Sequence, residues 1–319
     1  MKHLVGIIGL GMIGEKMMAE FIAHSGFEVA SCWDLNPKIC NQIQADYPAA
    51  AIANNAEEIL SDRDIELVYI ATPPVTHTDY GLKVSEQKKA LLMEKPLSLK
   101  LADGEKLVKS TEDREILTAV NFGYGAGPVV DTLEDIIAEN GIGDILGIEI
   151  RYEFPSWPLP NQLSAANWIT HRNTGGMVRE MFSHHVYLIH RLLGLLNVST
   201  VELFYPEEEG AAESFILASL RVNDIPVRFM GGVGGPRAPR NSDFTLHGET
   251  GSLRITEGQQ LLISQDGMWE EYTLQDTRSA VEARLDQLAD LLEGKDAKLP
   301  TLRDAYEVQK VIESMLASK

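Results

Sequence analysis

Apolar runs alternate with amphipathic stretches along the first 122 residues. The runs at 4–8, 66–71 and 90–93 are apolar at nearly every position, which is typical of parallel strands buried on both faces. Stretches with helical periodicity lie between such runs, at 15–24, 37–45, 55–60 and 101–110. This alternation predicts right-handed βαβ units around a parallel sheet.

The pattern changes after residue 122. A helical stretch at 128–139 is followed by short strand-like runs separated by turn residues, which favour a mainly antiparallel sheet. These runs lie at 145–152, 198–205, 214–222, 226–230, 244–248, 252–256, 261–264 and 269–274. Helices are predicted over 176–193, 281–292 and 302–316. We therefore expect an α/β protein with two domains, 1–122 and 123–319.

Three glycines follow the first apolar run at the spacing Gly9-x-Gly11-x-x-Gly14 and lead into a helical stretch. Strand, glycine turn and helix in this order predict a dinucleotide-binding Rossmann domain. Gly9 would make the tight turn, Gly11 would let the backbone approach a pyrophosphate, and Gly14 would allow close packing of helix and strand. Backbone N–H groups at the helix start, around Met12 and Ile13, would then face the phosphates.

An acidic residue, Asp34, follows the strand-like run 28–33. Its carboxylate can accept hydrogen bonds from ribose hydroxyls and would repel a 2′-phosphate, and no arginine follows it at 35–37. We therefore predict NAD as the cofactor, with NADP disfavoured. The alternative is an aspartate that only shapes the turn before the Asn36-Pro37 helix start.

Composition narrows the range of functions. A formal net charge of −19 disfavours binding to nucleic acid or to an anionic membrane surface, and no apolar run is long enough to span a membrane. Two cysteines, Cys32 and Cys40, are too few for a disulfide framework, so we expect a reduced, cytoplasmic protein.

Five motifs, in this order, resemble the Gfo/Idh/MocA oxidoreductases, the family of glucose–fructose oxidoreductase and inositol dehydrogenase. They are Gly9-x-Gly11-x-x-Gly14, Ala71-Thr-Pro-Pro-x-x-His77, Glu94-Lys95-Pro96, Gly175-Gly176-x-x-x-Glu180-x-x-x-His184 and Thr245-Leu-His-Gly-Glu-Thr-Gly-Ser-Leu253. The resemblance spans essentially the whole chain. It implies a Rossmann domain, a second α/β domain with an open, mainly antiparallel sheet, and NAD(P)-dependent chemistry on sugars, cyclitols and related alcohols. It further implies a cis bond before Pro96 and a cofactor site that includes Thr72, Pro73, His77, Glu94 and Lys95.

Three residues are candidates for catalysis. Lys95 ends a parallel strand, where its ammonium could hydrogen-bond a reacting oxygen. Glu180 and His184, four residues apart on a predicted helix, would share a face, so that the carboxylate could orient the imidazole as a general base. A surface lysine and a core histidine are the alternatives, and the motifs favour catalysis. No third ligand accompanies the Glu/His pair, so we expect no metal.

Two features depart from the family pattern. The family usually has aspartate at the position of Glu180, and the segment 121–128 replaces one that often carries an arginine. Asn121, Trp157, His171 and Arg172 are predicted substrate contacts, with structural packing as the alternative for the tryptophan.

The sequence therefore predicts an NAD-dependent dehydrogenase or reductase acting on a secondary alcohol of a sugar, cyclitol or related polyol. Redox-neutral glycoside cleavage with tightly held NAD and a non-catalytic NAD-binding sensor remain alternatives. The partners expected are a small-molecule substrate and further copies of the chain. A homodimer or homotetramer is predicted because the run 214–220 has Phe215 and Leu217 on one face and Ile216, Ala218 and Leu220 on the other.

Overall fold

The computed structural model describes residues 2–235 and 240–318, which form two compact units. The first unit consists of Met1–Ala126 and Val281–Tyr306, and the second of Gly127–Ala280 and Glu307–Lys319. Within the described ranges, no helix combines the length and the apolar character needed to cross a membrane.

The first unit is built on a parallel sheet, as predicted, and the sheet has five strands. Its strands are β1 (His3–Ile8), β2 (Phe27–Trp33), β3 (Leu67–Ile70), β4 (Ala90–Met93) and β5 (Thr118–Val120). Its connecting helices are α1 (Met12–Ala23), α2 (Pro37–Asp46), α3 (Ala56–Ser61), α4 (His77–Glu86) and α5 (Leu101–Glu112). The strand order is β2-β1-β3-β4-β5. The order reverses at β1 and β3, and a crevice at the carboxyl ends of these strands is where such sheets bind ligands.

A C-terminal helix, α9 (Ala280–Leu292), belongs almost entirely to this first unit. Leu285 and Leu288 are almost fully buried in the same apolar cluster as Val5, Ile7 and Phe21. The predicted division assigns the whole stretch after residue 122 to the second domain. The structure instead returns residues 281–306 to the first unit, because burying these leucines in its core removes their apolar surface from water.

The second unit is built on an eight-stranded sheet of order β13-β12-β11-β10-β6-β9-β8-β7. Its strands are β6 (Ile145–Phe154), β7 (Leu196–Phe204), β8 (Phe215–Val222), β9 (Ile225–Val233), β10 (Asn241–Gly248), β11 (Ser252–Ile255), β12 (Leu261–Ser264) and β13 (Glu270–Glu271). All neighbouring strands are antiparallel except β6 and β9, which confirms the mainly antiparallel prediction. The last strand is shorter than the predicted run 269–274.

Helices of the second unit are α6 (Pro128–Ala138), α7 (Ala166–Ile169), α8 (Ser183–Leu193) and most of α10 (Leu302–Ala317), which begins in the first unit. A π-helical turn, Val178–Phe182, precedes α8. The predicted helix over 176–193 is therefore α-helical only in its second part.

The two faces of the second sheet differ in exposure. On β8, Ile216, Ala218 and Leu220 are buried, whereas Leu217 is 39% exposed. The outward face also carries charged side chains, including Arg151, Arg228 and Glu149. It is thus mixed in character rather than uniformly apolar, since the apolar side chains concentrate at Leu217, Phe215, Phe204 and Met230.

Candidate active site

The glycine turn after β1 has a backbone that only glycine accommodates at two positions. Gly9 has φ of +98°, and a Cβ built there would lie 2.6 Å from backbone atoms of Ala71 and Thr72. A Cβ at Gly14 would lie 2.1 Å from the carbonyl oxygen of Gly9, so glycine lets α1 approach the turn. A Cβ at Gly11 would meet no atom within 4 Å. The turn is therefore open on the Gly11 side, where the pattern expects a pyrophosphate.

The surface around this turn has the character of a nucleotide site. No side chain caps the first turn of α1, which leaves its first N–H groups to an external acceptor. Large apolar side chains are exposed after the carboxyl ends of β1, β2 and β3, namely Met12, Ile13, Leu35 and Val75. Open apolar surface beside an anion-binding turn fits a ligand that has both phosphates and flat rings.

Asp34 links the end of β2 to the glycine turn. Its Oδ2 accepts a 2.8 Å hydrogen bond from the Leu10 N–H, and its Oδ1 accepts one of 2.8 Å from the Asn36 N–H. The second bond is the turn contact that the alternative interpretation expected. A carboxylate offers about four acceptor positions, so two backbone bonds leave capacity for ribose hydroxyls. The turn role and the cofactor role are therefore compatible.

His77 lies between the two loops that follow β3 and β4. Its side chain is fully buried, with Nε2 2.7 Å from the Thr72 carbonyl oxygen and Nδ1 2.9 Å from that of Pro96. Burial lowers the pKa of His77, while the two carbonyl contacts act in the opposite direction. The imidazole thus connects the Thr72-Pro73 loop to the Glu94-Lys95-Pro96 turn, and its place in a cofactor site stays a prediction.

The Glu94-Lys95-Pro96 turn continues from β4 and contains the expected cis bond between Lys95 and Pro96. The Glu94 carboxyl group is buried, and Tyr69 donates its hydroxyl to Glu94 Oε1 at 2.6 Å. Burial raises the pKa of Glu94, whereas hydrogen bonds from Tyr69 and Asn121 and the charge of Lys95 lower it. The carboxylate is therefore held in a low-dielectric position directly before the candidate catalytic lysine.

The residue that completes this network is not among the predicted site residues. Arg284 of α9 donates to the Asn121 Oδ1, and Asn121 donates through Nδ2 to Glu94 Oε1. The segment 121–128, which lacks the family's arginine, thus contacts an arginine from 163 residues further along the chain. No local sequence signal predicts this contact, because helical spacing in 281–292 indicates only which face of α9 is buried.

In the second unit, Gly175 and Gly176 precede the π-helical turn. A Cβ at Gly175 would lie 2.4 Å from the backbone of Ile169. Gly176 has φ of +108°, and a Cβ there would lie 2.5 Å from the carboxylate of Glu213. Glu213 is buried and accepts a 2.7 Å hydrogen bond from the Val178 N–H. This glutamate, which is not among the predicted site residues, therefore fixes the start of the turn that carries Glu180.

Glu180 is buried within the π-helical turn, and its N–H donates to the Gly176 carbonyl at 3.0 Å. His184 lies on α8 and is half-buried. The predicted helix over 176–193 places both on one continuous α-helix. The wider π-turn changes their relative rotation, because its hydrogen bonds span five residues instead of four. The pair therefore lies across a π-to-α junction, an arrangement that is frequent at functional sites.

A buried tyrosine and the neighbouring histidine support this junction. The Tyr152 hydroxyl of β6 lies 3.0 Å from the Met181 carbonyl oxygen and also contacts His185 Nδ1. Burial lowers the pKa of His185 to about 3, so its imidazole is neutral at physiological pH. Tyr152, which His185 contacts, thus supports the backbone between Glu180 and His184.

The predicted substrate residues occupy several environments. The Trp157 indole N–H donates to the Ile169 carbonyl at 3.1 Å, which is the structural contact anticipated as the alternative. Arg172 stacks on Tyr205, with its Cζ 3.5 Å from the ring centroid, and His171 is exposed. Asn121 uses both ends of its amide inside the first unit. Contact between these four residues and a substrate stays a prediction.

The structure gathers the predicted cofactor residues at one edge of the first sheet, after β1, β2, β3 and β4. Lys95 belongs to this unit, whereas Glu180 and His184 belong to the second unit. In residues 2–235 and 240–318, no three His, Cys, Asp or Glu side chains are grouped so that they could hold a metal ion.

Comparison with known families gives matches in both units. A model of an oxidoreductase family with an NAD-binding Rossmann fold, GFO_IDH_MocA, matches residues 3–122. A model of the GFO/IDH/MocA C-terminal domain matches residues 130–254. Together the two models cover well over half of the chain.

Individual proteins are similar over most of the chain. Scyllo-inositol 2-dehydrogenase (NADP(+)) of Bacillus subtilis is 22% identical over 255 residues, covering 78% of this chain and 67% of that protein. Levoglucosan dehydrogenase of Pseudarthrobacter phenanthrenivorans is 24% identical over 288 residues, covering 78% of this chain and 72% of that protein. A solved structure of levoglucosan dehydrogenase with NADH and L-sorbose has a TM-score of 0.83 at 18% identity and covers 100% of this chain and 97% of its own. This structural similarity supports the fold.

Proposed function

This chain belongs to the Gfo/Idh/MocA family of oxidoreductases, and from that premise we propose an NAD-dependent dehydrogenase or reductase acting on a secondary alcohol of a sugar, a cyclitol or a related polyol. The observation that carries the proposal is the carboxyl edge of the first sheet, where the open glycine turn, Asp34 and the Glu94-Lys95-Pro96 turn are gathered. Relatives named as inositol and levoglucosan dehydrogenases support the substrate class.

NAD fits the residues of this edge. Gly9, Gly11 and Gly14 give a turn whose backbone a pyrophosphate can approach, and Asp34 has acceptor capacity for ribose hydroxyls. Relatives differ in cofactor, with NADP(+) in the name of the inositol enzyme and NADH in the levoglucosan dehydrogenase structure. The preference for NAD therefore rests on Asp34 and on the absence of an arginine at 35–37. When bound, the cofactor supplies the position that accepts or returns the hydride.

Residues of this chain transfer the proton and stabilise the charge that develops on the substrate oxygen. His184 takes the proton of the substrate hydroxyl during oxidation and returns it during reduction. The Lys95 ammonium hydrogen-bonds the same oxygen and stabilises its negative charge. Glu180 orients the His184 ring for this proton transfer.

Substitution of these residues tests the assignment. Lys95→Ala and His184→Ala should retain NADH binding while turnover of a polyol found by thermal-shift screening falls by about 10² to 10⁴. The losses should not multiply in the double variant, because both groups act on one oxygen. Glu180→Asp, the family's usual residue, should retain more activity than His184→Ala. Lys106→Ala, an exposed lysine of α5, is the control. Wild-type turnover in both alanine variants would refute the assignment.

The same assays separate the alternatives. A dehydrogenase accumulates NADH during oxidation of its substrate, whereas redox-neutral glycoside cleavage regenerates NAD in each cycle. A sensor would bind NAD without turning over any polyol. Lys95 and His184 together favour chemistry, since binding alone requires neither.

Further copies of the chain are proposed to cover the outward face of the second sheet. Leu217 and Phe204, which are 39% and 49% exposed, form the apolar part of this face together with Phe215 and Met230. Charged neighbours such as Arg228 would surround such a contact. We also infer a cytoplasmic location, because Cys32 and Cys40 are both buried, unbridged thiols.

A further inference from the structure

Three buried side chains of the first unit and the half-buried Asn121 form one hydrogen-bonded row from β3 to α9. Tyr69 donates its hydroxyl to Glu94 Oε1 at 2.6 Å, and Asn121 Nδ2 donates to the same oxygen. Arg284 Nη1 donates to Asn121 Oδ1, and its Nη2 lies 3.5 Å from the Gly123 carbonyl oxygen. Both bonds to Glu94 use Oε1, so Oε2 takes no part in the row.

The chemistry of the row permits one orientation of the central amide. An ionised carboxylate only accepts hydrogen bonds, and a guanidinium only donates them. Asn121 must therefore turn its NH₂ group toward Glu94 and its oxygen toward Arg284. In the opposite orientation, the amide oxygen would face the Glu94 carboxylate, and the amide NH₂ group would face the Arg284 guanidinium. Neither pair could form a hydrogen bond. The arginine thus selects the amide orientation that binds the carboxylate.

Burial makes this arrangement consequential. Glu94 is 7% exposed and Arg284 is 6% exposed. A buried charge is costly unless an opposite charge and hydrogen bonds compensate it. Here the charge of Arg284 is linked to the carboxylate through the neutral Asn121 amide, and the charge of Lys95 acts in the same direction.

We propose that Arg284 is a positioning residue that, acting through Asn121, fixes the Glu94 carboxylate at the end of β4, directly before Lys95. The proposal rests on the proposed function in so far as Lys95 is catalytic. Helix α9, far from the glycine turn in sequence, thereby helps to set the geometry of the turn that carries the lysine.

The proposal predicts a pH effect whose sign follows from the groups that face Glu94. These are the Tyr69 hydroxyl from β3, the neighbouring Lys95, Asn121 after β5 and Arg284 from α9. Burial raises the pKa of Glu94, and the charge of Arg284 is among the effects that lower it. Removing Arg284 should raise this pKa further. Activity that needs the ionised carboxylate should then be lost at a higher pH than in the wild type.

The first experiment measures kcat/KM against pH in the full-length enzyme. Arg284→Met should move the acid limb upward by about one pH unit, and Arg284→Lys, which keeps the charge, should move it less. Arg303→Met is the matched control, because this arginine of the same unit pairs with Glu112 at the surface. Asn121→Ala should reproduce the shift of Arg284→Met, and it keeps the test decisive if that variant does not fold.

The second experiment does not depend on turnover. The pKa of Glu94 is higher in the folded state than in the unfolded state. As pH rises between these two pKa values, ionisation of Glu94 therefore lowers the stability of the folded protein. The loss of melting temperature in Arg284→Met should therefore be larger at about pH 8 than at about pH 5. In a Glu94→Gln background, Arg284→Met should show neither this pH dependence nor a moved acid limb.

The outcomes distinguish the two levels of inference. Coinciding pH profiles for wild type, Arg284→Met and Arg303→Met would overturn the positioning role, and so would a shift that persists with Glu94→Gln. Absence of any polyol turnover in the wild type would instead refute the proposed function. The melting temperatures of Arg284→Met in the wild-type and Glu94→Gln backgrounds would still decide whether Arg284 acts on Glu94.

Discussion

The preference for NAD can be tested at a single carboxylate. Asp34 lies at the end of β2, half-buried, with one backbone N–H on each oxygen. Hydrogen bonds from ribose hydroxyls to a charged acceptor contribute about 1.5–3 kcal/mol. A 2′-phosphate would lose these bonds and would also be repelled by about 1–4 kcal/mol per unit charge at roughly 4–5 Å, depending on the local dielectric. We therefore expect NADH to bind at least ~100-fold more tightly than NADPH.

Two substitutions separate charge from structure at this position. Asp34→Ala removes the acceptors of the Leu10 and Asn36 N–H groups, so it should weaken NADH binding and also disturb the turn. Asp34→Asn keeps one oxygen acceptor and removes the charge, so it should weaken NADH binding by about tenfold and bring NADPH within about tenfold of NADH.

Fluorescence titration of both cofactors at one salt concentration measures these effects. Asp46→Asn, an exposed aspartate of α2, controls for a general change in charge. Equal dissociation constants for NADH and NADPH in the wild type would refute the reasoning. An unchanged NADH-to-NADPH ratio in Asp34→Asn would show that the discrimination arises elsewhere.

Two further predictions concern the second unit. Gly176→Ala should lower the free energy of unfolding by about 2 kcal/mol or more, because the positive φ is combined with a close contact between the new Cβ and Glu213. Gly194 has nearly the same φ, +107°, but a Cβ there would meet no atom within 4 Å. Gly194→Ala should therefore be less destabilising in the same denaturant titration. Equal costs would show that the Glu213 contact is unimportant. In sedimentation velocity at micromolar concentration, the wild type should be a dimer or tetramer, Leu217→Asp should dissociate it, and Leu163→Asp, an exposed leucine outside the sheet, should not. A monomeric wild type would remove the proposed interface.

The sequence by itself determined the features that depend on neighbouring residues. The buried strand β4 lies at the predicted positions 90–93, and β12 at 261–264. Gly9 and Gly14 adopt the close backbone approaches expected from their spacing. These features are readable because strand periodicity and the conformational freedom of glycine act within a few residues. The family motifs added the cis bond before Pro96, which local patterning alone does not specify.

The tertiary structure decided which distant residues support the candidate site. Arg284 meets Asn121 across 163 positions, and Glu213 meets Val178 across 35. The segment 178–182 has the sequence pattern of an ordinary α-helix but forms a π-helical turn. Tyr152, from another element, contacts the backbone of this turn. Periodicity reports which face of an element is buried, but it carries no information about which element covers that face. Charged side chains and unpaired backbone groups need protein partners only once folding has removed them from water. Which groups become their partners therefore depends on the packing of distant elements.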